Sequence, residues 1–310
     1  MLAVSLCVVV IVALIAFGVV GWLGAFGDLA VLGHPFGVIV GAPVALGLVI
    51  AGQPALALVP AALAAGSLVA IVLPRVPRGL PPPNRPVRLA SVNLQFDSPR
   101  PADAARSAIA VGADVLVVCE LTDATDTVLT PAFPYRVSIA SDDHAHFGQA
   151  VFSRLPIEEL PMPELVAGQV HRLRIGGDTP FMLYSAHVPR PALRRWRTPG
   201  LTSFSGHRRA INVLDRCIRA EIEPAVLAGD LNLSDRASGY RTLIRGRRDV
   251  MRGRWPIATF HRHSGFWRML SLRIDHLVVA ADWSARDGRA FDLDGSDHRG
   301  VIADIGPAAR

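Results

Sequence analysis

Apolar and polar positions follow two different regimes along this chain. From Leu2 to Phe26 the sequence is an apolar, glycine-containing run without a charge. A second such run covers Phe36 to about Gly52, and a third covers Pro54 to Leu73. At roughly 1.5 Å per residue the first run exceeds the roughly 30 Å hydrocarbon core of a bilayer. The second is near the lower length limit and holds Pro43, and the third holds Pro60. Neighbouring helices re-satisfy the carbonyls such prolines free. The pattern predicts three transmembrane helices. Two spans, or a cleaved signal peptide before a buried hairpin, are the alternatives. A signal peptide would show a basic leader and a shorter apolar core, and the sequence has neither.

From Val87 onward the period changes. Val87–Leu94 reads as a strand and Ala102–Val111 as a helix, while Val115–Cys119 is the continuous apolar run of a strand buried on both faces. Gln149–Phe152, Thr179–His187, Ala225–Gly229, Ile274–Ala280 and Val301–Ile305 read as further strands, and Arg208–Arg219 as a helix. Strands outnumber helices, so the pattern predicts an α/β domain with mixed sheets rather than a regular βα alternation. Between the regimes, Pro74 to Pro86 is rich in proline and arginine, which favours an extended, semi-rigid spacer. The expected organisation is a membrane region over 1–74, a linker over 75–86 and an α/β domain over 87–310.

Composition sharpens this division. An apolar fraction of 51% and a mean hydropathy of +0.35 exclude a disordered chain. All 32 basic residues are arginine, against 26 acidic residues, for a net charge of +6. No arginine precedes Arg75, and the only acidic residue before it is Asp28. Arg75, Arg78, Arg85 and Arg88 follow the last apolar run, so the positive-inside rule predicts an integral membrane protein with its large domain in the cytoplasm. Cys7, Cys119 and Cys217 are too few and too scattered for a disulfide framework or a zinc site.

The chemistry lies at strand ends. Asn93 closes the first strand, Glu120 closes the apolar run before it, and His187 closes the run through Tyr184-Ser185-Ala186. Asp230 and Asn232 follow Leu227-Ala228-Gly229, Asp275 opens a strand, and Asp297-His298 precedes the last one. Singly, an aspartate after a strand is usually a turn or cap residue. Glu120 is harder to treat that way, because burying an unpaired carboxylate is costly. Six such positions in one domain point to a shared site.

In this order the residues resemble the endonuclease/exonuclease/phosphatase superfamily of Mg²⁺-dependent phosphoesterases. Gly229-Asp230-Leu231-Asn232 is similar to the family's Gly-Asp-Phe-Asn, and Ser296-Asp297-His298 to its Ser-Asp-His. Arg273-Ile274-Asp275-His276 and Gly148…Phe152-Ser153-Arg154 support them, and the resemblance covers roughly Pro86 to Gly306. An N-terminal membrane anchor on such a domain resembles a bacterial subgroup.

The resemblance implies a four-layered α/β sandwich, two mixed sheets face to face with helices outside. It implies Mg²⁺, with Mn²⁺ able to substitute, held by Glu120 with Asn93 and Asp297. Asp230 would orient or deprotonate the attacking water, and Asn232 would bond that water or the phosphate. His298 would face the phosphate or move a proton, Asp275 would hold His298, and His187 would be a second phosphate-facing histidine. His276, Ser296 and Cys119 read as structural.

The substrate class stays open at this level. The arginine- and aromatic-containing stretches Arg190–Arg209 and Arg245–Arg268 suit a nucleic-acid backbone, anionic lipid headgroups, or simply a solvated surface. A short tether to the bilayer raises the effective concentration toward lipids, which ranks a lipid-linked phosphate ester ahead of DNA or RNA. A non-catalytic binding member of the same fold is a further alternative.

Overall fold

The computed structural model describes residues 34–72, 81–139, 148–162, 166, 170–192, 201–252, 258–260 and 272–309. These group into two compact units, one of the described residues within 1–77 and 234–241 and the other of those within 78–233 and 242–310.

In the first unit, helices α1 (His34–Ile50) and α2 (Pro54–Val72) carry Pro43 and Pro60 inside them. Small residues let the two helices approach closely: a Cβ on Gly41 would lie 2.7 Å from the Pro60 carbonyl oxygen. Helix α2 is long and apolar enough to cross a membrane, whereas α1, at 17 residues, is shorter. The expected span over Leu2–Phe26 lies outside the described residues.

In the second unit the continuous apolar runs become the central strands of two sheets. The chain order is β1 (Val87–Asn93), α3 (Pro101–Ala110), β2 (Val115–Leu121), α4 (Asp123–Leu129), β3 (Tyr135–Ile139), β4 (Gly148–Ser153), β5 (Ile157–Leu160), β6 (Val170–Ile175) and β7 (Phe181–His187). It continues through β8 (Arg190–Ala192), β9 (Leu201–Ser203), α5 (Phe204–Arg219), β10 (Ala225–Asp230), α6 (Ser238–Leu243, whose residues 238–241 group with the first unit), β11 (Arg247–Asp249), β12 (Asp275–Ala280), β13 (Trp283–Asp292) and β14 (Arg299–Pro307). One sheet runs β13-β14-β1-β2-β4-β3 and the other β11-β12-β10-β7-β6-β5. Each is mixed: β1 pairs parallel with β2 and antiparallel with β14, just as β10 pairs parallel with β7 and antiparallel with β12.

Alternation along each strand builds two cores. Leu89, Val115, Val117 and Val151 from the first sheet meet Leu173, Leu183, Val226, Ala228 and Leu277 from the second in a fully buried inter-sheet layer. The opposite parity of the first sheet, with Ala90, Val92, Leu116 and Val118, packs on Ala104, Ala105 and Ala108 of α3. Helix α5 lies by the second sheet: its His207 ring bonds the Leu231 carbonyl at 2.9 Å, and its Asp215 pairs with Arg247 of β11 at 2.7 Å. The result is the expected four-layered α/β sandwich.

Residues 81–86 do not hang free as a spacer. Asn84 N–H donates to the Pro307 carbonyl at 2.7 Å, and Ala309 N–H to the Pro82 carbonyl at 3.0 Å, so this segment is fastened to the end of β14.

Candidate active site

Parallel pairing puts like ends together. Asn93 and Glu120 therefore sit at the carboxyl ends of β1 and β2, and His187 and Asp230 at those of β7 and β10, where they are paired in register. Asp275, at the amino end of the antiparallel β12, is paired with Asp230 on its other side. His298 immediately precedes β14. Both sheets thus deliver polar side chains to one end of the sandwich.

Two backbone features aim them. Glu120 has φ +59° at a bulge where the β2–β4 register shifts between Cys119 and Leu121. Gly229 has φ +142°, and a Cβ there would lie 1.9 Å from the Ala186 carbonyl oxygen. Only glycine lets β10 lie this close to β7 just before Asp230.

The side chains form a connected set. Asn93 Nδ2 donates to Glu120 Oε1 at 3.0 Å and to Asp230 Oδ2 at 3.1 Å, so one amide bridges carboxylates from the two sheets. His187 Nε2 lies 3.8 Å from Glu120 Oε1, and His298 Nε2 lies 3.9 Å from Asp230 Oδ2. Asp275 Oδ2 is 2.9 Å from His298 Nδ1. The main chain contributes as well: Phe96 N–H donates to Glu120 Oε2 at 2.9 Å and Asn232 N–H to Asp230 Oδ1 at 2.8 Å.

Burial sets the electrostatics. Desolvation, then the neighbouring Asp275 charge, pushes the Asp230 carboxyl up to about 7. For His298, burial alone would depress the imidazole. The charge and hydrogen bond of Asp275, with Asp230 and Asp297 behind, outweigh it and raise the ring to about 10. The imidazolium is thus the counter-ion of a buried carboxylate pair. Carboxylate oxygens of Asp230 and Asp275 lie within 4.8 Å of one another and of the His298 ring, and Asp275 Oδ1 is buried with no hydrogen-bond partner. An excess of hard, acceptor-only oxygens fits a divalent cation such as Mg²⁺ or Mn²⁺.

The two asparagines are held by their own contacts. Asn232 is not on an extended chain: its φ is +46°, and its amide nitrogen donates to the Val188 carbonyl at 3.0 Å. It closes the turn after Asp230. Asn93 accepts the Gln95 N–H on its amide oxygen at 3.0 Å while its nitrogen bridges the two carboxylates.

The remaining positions fall into place around this set. Asp297 is half-buried, its N–H donating to Gln95 Oε1 at 2.8 Å. Ser296 is a turn residue whose Oγ donates to the Asn93 carbonyl at 2.7 Å. His276 bonds the Leu233 carbonyl at 2.7 Å, and the Cys119 thiol is fully buried.

Sequence reasoning passed over several supports. Thr259 Oγ1 accepts from the Ile274 and Asp275 N–H groups, each at 3.1 Å, and the Phe260 ring lies 4.9 Å from the His298 ring. Gln95 fastens the loop after β1 to Asp297. None of these carries a local motif. Of the arginine-rich stretches, residues 193–200, 253–257 and 261–271 lie outside the described residues. Arg247 is committed to Asp215 and to the Leu243 carbonyl.

Comparison with known proteins follows the same lines. Solved structures share the fold at low identity. An endonuclease/exonuclease/phosphatase from Beutenbergia cavernae is 18% identical with a TM-score of 0.54, over 73% of this chain and 72% of that one. D. rerio TDP2 complexed with a single-strand DNA product is 16% identical with a TM-score of 0.55, over 72% of this chain and all (100%) of that one. The 3'-5' exonuclease NExo from Neisseria meningitidis is 19% identical with a TM-score of 0.53, over 71% of this chain and 99% of that one. No curated protein matches the sequence significantly. The Endonuclease/Exonuclease/phosphatase family profile matches residues 90–298, from the inner half of β1 to the histidine that meets Asp275 and Asp230. The chain belongs to that family of phosphoester hydrolases.

Proposed function

We propose that this protein is a membrane-anchored, divalent-metal-dependent phosphoesterase acting on a phosphate ester presented close to a bilayer. The observation that carries this is the set of contacts running His187–Glu120–Asn93–Asp230–His298–Asp275 in steps of 2.9 to 3.9 Å. Glu120 and Asp297, with the Asp230–Asp275 pair alongside, would hold Mg²⁺ or Mn²⁺. When bound, the ion offsets phosphate charge and acidifies a water.

The chain's own residues divide the rest. Asp230, once ionised, accepts the proton of the attacking water. His298, kept cationic by Asp275, faces the non-bridging oxygens and can protonate the leaving oxygen. His187 faces the phosphate from the Glu120 side. Asn93 and Asn232 hold the carboxylates in place.

The N-terminal region is read as the membrane anchor, with the catalytic domain on the cytoplasmic side. Its helix α2 has a mean hydropathy of 2.3 over its apolar window. Among the described residues, eleven exposed large apolar side chains lie on α1 and α2 and only three elsewhere, as expected of surfaces that face lipid. Tethering favours lipid-linked esters over nucleic acid. The DNA-bound neighbours are alike in fold only.

The test is hydrolysis by the full chain in detergent. Bis-p-nitrophenyl phosphate and its monoester are expected to be cleaved with Mg²⁺ or Mn²⁺, and EDTA to abolish it. Cleavage of plasmid but not phospholipid vesicles would replace the lipid assignment with a nuclease. No hydrolysis of any of these esters with either metal would overturn the proposal in favour of a binding protein.

A further inference from the structure

One row behind the catalytic strand ends, the inner faces of the two sheets carry a second polar group. Gln149 on β4, His171 on β6 and Ser185 on β7 are all buried. Strand alternation turns them inward, because Val151, Leu173 and Leu183, two residues along, belong to the inter-sheet core. His171 and Ser185 are direct partners in the β6–β7 register. Gln149 is the partner of Cys119, whose thiol donates across the sheets to the Ala186 carbonyl of β7 at 3.7 Å. The main-chain carbonyl of Gln149 also faces the His171 ring without meeting hydrogen-bond geometry.

Counting donors shows what is missing. Gln149 Oε1, His171 Nε2 and Ser185 Oγ have no hydrogen-bond partner. His171 Nδ1 lies 3.0 Å from Glu159 Oε1, and a carboxylate only accepts, so the ring proton sits on Nδ1. Burial keeps the ring neutral by lowering its pKa, which leaves Nε2 an acceptor. Two acceptors and a single hydroxyl hydrogen are therefore buried in this row. One water closes the count: it donates to Nε2 and to Oε1 and accepts from the serine hydroxyl.

We propose that Gln149, His171 and Ser185 form a buried binding site for one ordered water between the sheets, behind His187 and Glu120. It fixes the spacing of β4, β6 and β7 where the site above it is assembled, and it stands whatever the substrate is.

The test is a crystal structure of the full chain at a resolution that resolves waters, with melting temperatures of two variants. One water within hydrogen-bond distance of all three atoms is expected. Ser185→Val fills the water's place and strands both acceptors, so it should melt several degrees below Ser185→Ala, which leaves the water and its two acceptors intact. No water between the three side chains overturns the proposal, as does Ser185→Ala being the less stable variant, the sign of a direct serine hydrogen bond.

Discussion

The two arms of the candidate site are built from the same residue types and differ in their access to water. On one arm Glu120 stands on a bulge, about 16% exposed, with His187 beside it. On the other, Asp230 and Asp275 are about 1% exposed and clamp a histidine between them. A carboxylate that water reaches can exchange a ligand ion at little cost. One that water does not reach holds or releases a proton according to its neighbours. The sandwich thus supplies an open carboxylate that water and phosphate can reach and a closed carboxylate pair whose protons its neighbours control. The proposed reading puts a cation between the two sides.

Substitutions can break this division. Asp230→Asn removes the proposed base from the closed arm, and kcat should fall by roughly 10⁴-fold at every metal concentration, measured by steady-state hydrolysis. A smaller effect is expected on the open arm. Glu120→Gln should raise the apparent metal requirement by roughly 10- to 100-fold and recover part of kcat at saturating metal. If the two variants respond to metal alike, the two arms do not have separate roles.

The smallest effect sharpens the comparison on the closed arm alone. In the metal-free protein Asp230 and His298 both have folded-state pKa values raised above their ordinary 3.8 and 6.5, to about 7 and about 10. Each therefore contributes stability that is complete below its unfolded value and lost as pH rises through its folded value. The melting temperature without metal should fall from pH 7 to pH 10, and His298→Ala should flatten that decline. An unchanged slope in the variant would mean that another group titrates there.

Much of this fold was legible because its central strands are continuous apolar runs closed by a polar residue. Val115–Cys119 and Ala225–Gly229 show this directly. Strand β6 was missed because Arg172 and Arg174 interrupt its pattern, and only the fold supplies Glu221 at 2.7 Å and Glu223 at 2.9 Å to pair with them. Strand β13 was missed because it is a polar edge strand, charged along its outer face. The polar strand-end residues singled out in the sequence are brought together by the fold, but their aim was not readable. The bulge at Glu120 and the left-handed turn at Asn232 arise from how strands meet, and no local signal announces either.

Gly229 has a practical consequence for anyone wishing to retarget this scaffold. A methyl group there would press on the main chain of β7, pushing His187 and Asp230 apart while leaving every reactive group chemically intact. Combinatorial libraries over the strand ends should therefore return glycine at 229 in each active clone. New specificity will have to come from the loops, where the backbone has slack.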